Sequence, residues 1–193
     1  MDEATVRPRR SDARRNRERL LAEARSAFAE HGTGASLEQI AAGAGVGIGT
    51  LYRHFPARQD LLEELLRERF DALTATGGEL LATRPPGPAL AAWTHAFVTA
   101  TTTFRGLTAE VARPLRDETS RLHASCAAMR AVGTELLVRA QRAGTIRPDV
   151  SATDFFVLVS GAAWAHEQGP QDTEDRVPRL LDLLFAGLTR RVP

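Results

Sequence analysis

The sequence has one cysteine, Cys126, one tyrosine, Tyr52, and no lysine, since all 25 basic residues are arginine. A single cysteine excludes an internal disulfide and any zinc or iron–sulfur site built from several thiolates, and it points to a reducing, cytoplasmic compartment. The missing lysine is a matter of composition and suggests no mechanism. Long apolar runs are also lacking. The longest, Phe155 to Ala165, broken only by Ser160 and Gly161, is too short to span a bilayer, and arginine stands where an export signal needs apolar residues. No membrane association is therefore expected. Signatures of catalysis are absent as well: no Gly-x-Ser-x-Gly elbow, no phosphate loop and no His-Glu-x-x-His. His31, His95, His123 and His166 have no metal-ligand spacing, and Glu63-Glu64 and Asp117-Glu118 lie on charged helix faces. No enzyme, cofactor or metal is expected.

What is present suits an ordinary packed protein. The chain has 193 residues, 43% hydrophobic and 25% charged, with 15 Gly and 10 Pro that follow no period. Net charge is only +1, but it is unevenly spread. Residues 1–58 hold ten Arg against seven acids, and the rest of the chain fifteen Arg against seventeen. Arg7, Arg9, Arg10, Arg14, Arg15, Arg17 and Arg19 crowd together with only Asp12 and Glu18 opposing them. Such a segment suits a polyanion, although on charge alone a solvated tail with no partner fits equally well.

Apolar spacing implies helices throughout. Leu20, Leu21, Ala24, Ala27 and Phe28 mark a helix over about 15–31, ended by Gly32. Ser36 opens a second helix as N-cap, with Gln39 three residues on as in a capping box, and Gly45 closes it. A third, Ile48 to His54, must stop at Phe55 because Pro56 disfavours helical geometry before it. Leu61, Leu62, Leu65, Leu66, Phe70 and Leu73 then predict an amphipathic helix ending near Gly77-Gly78, and Arg84-Pro-Pro-Gly-Pro88 reads as a connector. Beyond it the spacing predicts a helix near 89–104, a looser piece near 106–113 and a long helix over 115–142. The seam of that long helix is Leu115, Leu122, Cys126, Met129, Gly133, Leu136 and Ala140. Two last helices are expected over 152–167 and 175–190, separated by Gly169-Pro170. No alternating strand pattern occurs, so the expected fold is all-α, with about nine helices.

Residues 36–55 combine a short helix, a Gly-containing turn and a second short helix backed by a preceding one, which is how a helix-turn-helix is built. Small Ala41 lets the helices cross closely, while Ile40, Val46 and Leu51 fill the space between them. The second helix of such a unit lies in the major groove and needs polar groups that reach base edges and phosphates. Thr50, Tyr52, Arg53 and His54 supply them, and Gly47 and Gly49 leave the start of that helix without bulk. Phe55, beside Leu51 and Pro56, reads instead as core.

The stretch Ser36-Leu-Glu-Gln-Ile-Ala-Ala-Gly-Ala-Gly-Val-Gly-Ile-Gly-Thr-Leu-Tyr-Arg-His-Phe-Pro56, followed by Asp60-Leu-Leu, closely resembles the DNA-binding region of TetR-family transcriptional regulators. The resemblance covers about 16–75, and the all-helical remainder matches the family in architecture. With the arginine-rich segment over 1–14 read as a basic N-terminal arm, it implies a DNA-binding domain over 15–60 and a ligand-binding and dimerisation domain over 61–193. It further implies that Ser36 contacts phosphate, that Gly47, Ile48, Gly49 and Thr50 face the groove, and that Tyr52, His54 and Arg58 clamp the DNA backbone. Glu38 departs from the pattern, standing where some members place a basic, base-reading residue; an acid there could only accept from cytosine or avoid the DNA. The implied function is repression at a palindromic operator, relieved by a small-molecule effector. A helix-turn-helix serving as an architectural or protein-interaction module without effector is the alternative.

Trp93, Phe97 and Phe104 recur along the helix after the connector and are expected to face Cys126, Met129 and Trp164. They form plain core or, as the family resemblance implies, the wall of an effector pocket suited to an apolar or aromatic molecule. Cys126 on its seam reads as inert filler. The run Phe155 to Ala165 and the stripe Val177, Leu180, Leu181, Leu184, Phe185 and Leu188 expose more apolar surface than one chain covers. A homodimer joined through the last two helices, about 152–190, is the economical solution.

Overall fold

The computed structural model describes residues 6–102, 117–168 and 176–189. Among them are eight α-helices and no strand, as the all-α expectation requires. The helices are α1 (Val6–His31), α2 (Leu37–Gly43), α3 (Ile48–His54), α4 (Arg58–Thr83), α5 (Pro86–Thr102), α6 (Arg121–Arg142), α7 (Ala152–Gln168) and α8 (Arg176–Leu188). Phe104, Leu115 and the expected piece at 106–113 lie outside the described residues. The chain divides into two compact units that change over between Leu66 and Arg67, within α4.

In the first unit, the caps read from the sequence do what their chemistry demands. The Ser36 hydroxyl oxygen accepts from the Gln39 N–H at 3.3 Å and starts α2. Gly45, at φ +67°, turns the chain after it, with its N–H donated to the Ala42 carbonyl and that of Val46 to the Ala41 carbonyl, both at 2.9 Å. The helix α3 ends where expected, the Phe55 N–H closing on the Leu51 carbonyl at 2.8 Å just before Pro56. Leu20, Leu21, Ala24 and Phe28 of α1 are buried together with Ile40, Ala41, Leu51 and Phe55. Leu61, Leu62 and Leu65 complete this core.

One boundary in this unit differs from expectation. The helix α1 begins at Val6, not near residue 15, so residues 6–14 of the expected arm are helical. Charged pairs at helical spacing favour this, Arg15 with Asp12 and Arg14 with Glu18, and Pro8 falls in the first turn, where its missing N–H has no partner to lose.

The second unit holds a core of Leu73, Leu90, Trp93, Phe97, Met129, Leu136, Phe155, Phe156 and Val159, among others. Here α4 does not end at Gly77-Gly78 but runs on to Thr83. A Cβ at Gly77 would lie 2.7 Å from Val132 Cγ2 and 3.0 Å from Trp93 Nε1, so the glycine permits close packing instead of stopping the helix. The expected connector also shrinks to Arg84 and Pro85, because Pro86 and Pro88 occupy the first turn of α5, where proline is tolerated. The long helix begins at Arg121 rather than 115, with Ser120 accepting from the His123 N–H at 2.9 Å as its N-cap. No described helix is long and apolar enough to cross a membrane.

Candidate nucleic-acid interface

The two short helices divide their side chains between core and surface. On α3, Leu51 is fully buried, whereas Tyr52 is 45% exposed and Arg53 is exposed; Phe55, just beyond, is buried. Thr50, His54 and Ile48 are half-buried at its edges. Gly47 and Gly49 are exposed, and a Cβ at either would meet nothing within 4 Å, so the start of α3 presents bare backbone. The structure thus brings Thr50, Tyr52, Arg53 and His54 together along one short helix, and it keeps Phe55 in the core.

Arg53 is not a loose surface side chain. Its Nε donates to the Gly49 carbonyl at 3.2 Å and its Nη2 to Thr50 Oγ1 at 3.1 Å, which lays the guanidinium back along α3. His54 lies beside Phe55, with ring centroids 6.4 Å apart. Partial burial, reinforced by the charges of Arg17 and Arg53, holds its imidazole below the ordinary pKa and so favours the neutral ring.

At the entry to α2, Ser36 is half-buried, and its hydroxyl donates to Glu38 Oε2 at 2.9 Å while accepting from Gln39. The Arg58 Nη1 donates to the Ala35 carbonyl at 2.6 Å, which places the start of α4 against this entry. Glu38 is exposed, and hydrogen bonds to its carboxylate, first from its own backbone N–H and then from Ser36, lower its pKa, with the charge of Arg58 adding to the effect. A fixed negative charge therefore stands between two residues expected to contact phosphate. Asp60 closes the start of α4, its Oδ2 accepting from the Ala57 N–H at 2.8 Å.

Arg17 has a role that its place in a basic run concealed. It pairs with Glu64 at 2.6 Å and lies over the Phe55 ring at 5.4 Å from the centroid, linking α1 to the end of α3 and the start of α4. No local spacing in the sequence could have indicated this.

The residues expected around an effector are placed unevenly. Trp93, Phe97 and Met129 are buried, and Cys126 packs half-buried against the same core, its thiol pKa raised by burial. Trp93 stacks on Phe97 at 5.6 Å between centroids and meets the edge of Phe156 at 6.0 Å. The side chain facing them is thus Phe156 and not Trp164, which is 64% exposed on the outer side of α7. Trp164 shares its exposure with Val157 and Leu158 of α7 and Leu183 of α8. An open groove there is lined by Leu158, Ala162, Leu180, Leu183 and Leu184 of these two helices, with Arg147, Asp149 and Asp154 adding charge. Among the described residues no group of His, Cys, Asp and Glu is placed to hold a metal ion.

Comparison with known proteins finds matches in both units. Residues 20–65 match the profile of bacterial regulatory proteins of the tetR family, and residues 85–190 match the C-terminal domain of SbtR-like transcriptional regulators. A helix-turn-helix transcriptional regulator of Staphylococcus aureus is 40% identical over 63 residues, 32% of this chain and 34% of that protein, so the chain spans about a third of the length of this curated relative. The crystal structure of a TetR transcriptional regulator from Streptomyces coelicolor is 36% identical, covers 91% of this chain and 99% of its own, and superposes with a TM-score of 0.71. The regulator LfrR of Mycobacterium smegmatis, solved in complex with proflavine, is 26% identical over 92% of this chain and 98% of its own, with a TM-score of 0.64. The helix-turn-helix, the helical second unit and these matches over nearly the whole length place the chain in the TetR family of bacterial transcriptional regulators.

Proposed function

We propose that the protein is a ligand-responsive repressor that binds a palindromic operator as a homodimer and is released by a small-molecule effector. The observation that carries the DNA-binding part is α3, a short helix whose buried Leu51 anchors it while Tyr52 and Arg53 stand exposed beside the bare backbone of Gly47 and Gly49. Ser36, Ile48, Thr50, His54 and Arg58 complete the surface, with Ser36, Tyr52, His54 and Arg58 serving the phosphates. Two such surfaces related by a two-fold axis meet half-sites roughly one helical turn, about 10 base pairs, apart or somewhat more.

Exposure of Val157, Leu158, Trp164 and Leu183 supports pairing of α7 and α8 with the same helices of a second copy. The effector is held in the second unit, between α5 and α6, against Trp93, Phe97, Cys126 and Met129. The aromatic walls there suit a planar aromatic molecule, the class to which the proflavine solved in complex with LfrR belongs.

Footprinting on genomic fragments, with sedimentation of wild type and Leu183→Arg, tests this. The expected result is a symmetric protected site bound by a dimer, and loss of both dimer and protection in the variant. A stable monomer protecting a single half-site contradicts the dimer, and no protected sequence on any fragment contradicts the repressor.

A further inference from the structure

We propose that Arg53 reads a guanine in each half-site and that Thr50 is the residue that positions it. The inference rests on the DNA-binding role of α3 and adds to it a base and a mechanism. A guanidinium offers two forks of parallel N–H groups, one formed by Nε and Nη2 and the other by Nη1 and Nη2. In Arg53 the first fork is engaged within the helix, Nε on the Gly49 carbonyl and Nη2 on Thr50 Oγ1. The second fork is left for a partner outside the chain.

That fork has a definite preference. Two parallel donors match the paired O6 and N7 acceptors of guanine in the major groove, whereas adenine sets its N6 donor against one of them. Holding the side chain before DNA arrives removes rotamer freedom that binding would otherwise have to remove, so the contact is stronger and more selective than one made by a wandering arginine. Each of the two local bonds depends on a neighbour. Gly49, exposed and with open space where a Cβ would stand, leaves its carbonyl approachable, and Thr50 accepts through Oγ1, so its own proton remains to donate. The geometry makes Thr50 and Arg53 one reading unit at a spacing of three residues, a single turn of α3.

Selection of bound duplexes from a randomised library, followed by sequencing, tests the unit with wild type, Arg53→Ala, Thr50→Val and Thr50→Ser. The wild type should enrich a palindrome with a guanine at one position of each half-site, favoured by about five- to a hundredfold, the range of a good bidentate contact. Arg53→Ala should abolish the preference at that position and leave the others in place. Thr50→Val keeps the branched shape but loses the acceptor, so it should weaken the preference at that same position, while Thr50→Ser should retain it. Unchanged base preference in Arg53→Ala, or a Thr50→Val effect confined to a different position, overturns the inference while the DNA-binding role stands. Enrichment of no sequence by the wild type overturns that role, and this inference with it.

Discussion

The Trp93 indole Nε1 donates to the Leu73 carbonyl of α4 at 3.0 Å, a bond made possible by the absence of a side chain on Gly77 one turn further along. The indole is fully buried, stacked on Phe97 and edge-on to Phe156, and its far side rests on Gly133 of α6. Two glycines in the middle of helices, residues that weaken a helix in isolation, thus allow four helices to close on one tryptophan.

This arrangement distinguishes the glycines of these helices by their expected response to alanine. At Gly133 a Cβ would lie 2.5 Å from a Trp93 ring carbon and 2.8 Å from Phe156 Cζ, both parts of rigid buried rings. Overpacking costs about 1–3 kcal/mol, more than the roughly 1 kcal/mol that alanine gains in helix propensity, so Gly133→Ala should be destabilising. Gly78, in the same helix as Gly77, has open space at its Cβ position, and Gly78→Ala should raise stability by up to about 1 kcal/mol. For a chain of this size each kcal/mol moves Tm by roughly 2–4 °C, which thermal unfolding resolves. Shifts of the same sign for the two variants would contradict the packing described.

The same glycines mark where the sequence was legible and where it was not. The bounds of α2 and α3 could be read because Ser36, Gly45 and Pro56 act within a few residues of themselves. The end of α4 could not, since what makes Gly77 compatible with a continuing helix is Val132 on another helix. The aromatic partner of Trp93 was hidden for a related reason. The run in α7 is apolar almost all round, so its period does not tell the buried Phe155, Phe156 and Val159 from the exposed Val157, Leu158 and Trp164. At the candidate nucleic-acid interface, residue types suggested members but not the pairings among them. The ion pair of Arg17 with Glu64 and the hydrogen bond from Ser36 to Glu38 needed the fold.

Glu38 should act against DNA binding in general. Its carboxylate stands beside Ser36 and Arg58, where a phosphate is expected, and Glu38→Gln keeps an acceptor for the Ser36 hydroxyl while removing the charge. The variant should bind both operator and random duplex more tightly, by a similar factor, with the gain largest at low salt and shrinking as the Debye length falls below about 10 Å above 0.1 M. Filter binding across a salt series measures this. A weaker variant, or a change at one base position only, would assign the carboxylate to a base such as cytosine instead.

His54 predicts opposite pH trends for stability and for binding. In the free protein burial, with Arg17 and Arg53 nearby, lowers its pKa below the ordinary value of about 6.5, so on acidification the unfolded chain takes up the proton first. The contribution of His54 to stability is therefore fully present above about pH 6.5 and is lost progressively as pH falls below it. A DNA phosphate beside the ring favours the imidazolium, so the complex gains a proton and affinity should rise as pH falls from about 8 to about 6. His54→Asn should flatten both trends relative to wild type. Parallel pH dependence of wild type and variant in DNA binding would remove His54 from the phosphate-binding set.

The N-terminal arginines should add affinity without adding sequence preference. Arg14 pairs with Glu18 at 3.6 Å and Arg15 with Asp12, but all four side chains are more than half exposed, and such pairs contribute about 0–1 kcal/mol, too little to keep a guanidinium from a phosphate. Removing residues 1–14 takes away Arg7, Arg9, Arg10 and Arg14 together with the first turns of α1, while the buried stripe that starts at Leu20 stays in place. The truncated protein should keep its fold, bind operator and random duplex alike more weakly, and show a log–log salt dependence flatter by roughly 0.9 for each phosphate that is no longer neutralised. Because truncation also shortens a helix, the full-length double variant Arg7→Gln, Arg10→Gln serves as the charge-only control and should reproduce part of the change in slope. An unchanged slope in both proteins would make the basic segment a solvated helical extension, with phosphate binding confined to Ser36, Tyr52, His54 and Arg58.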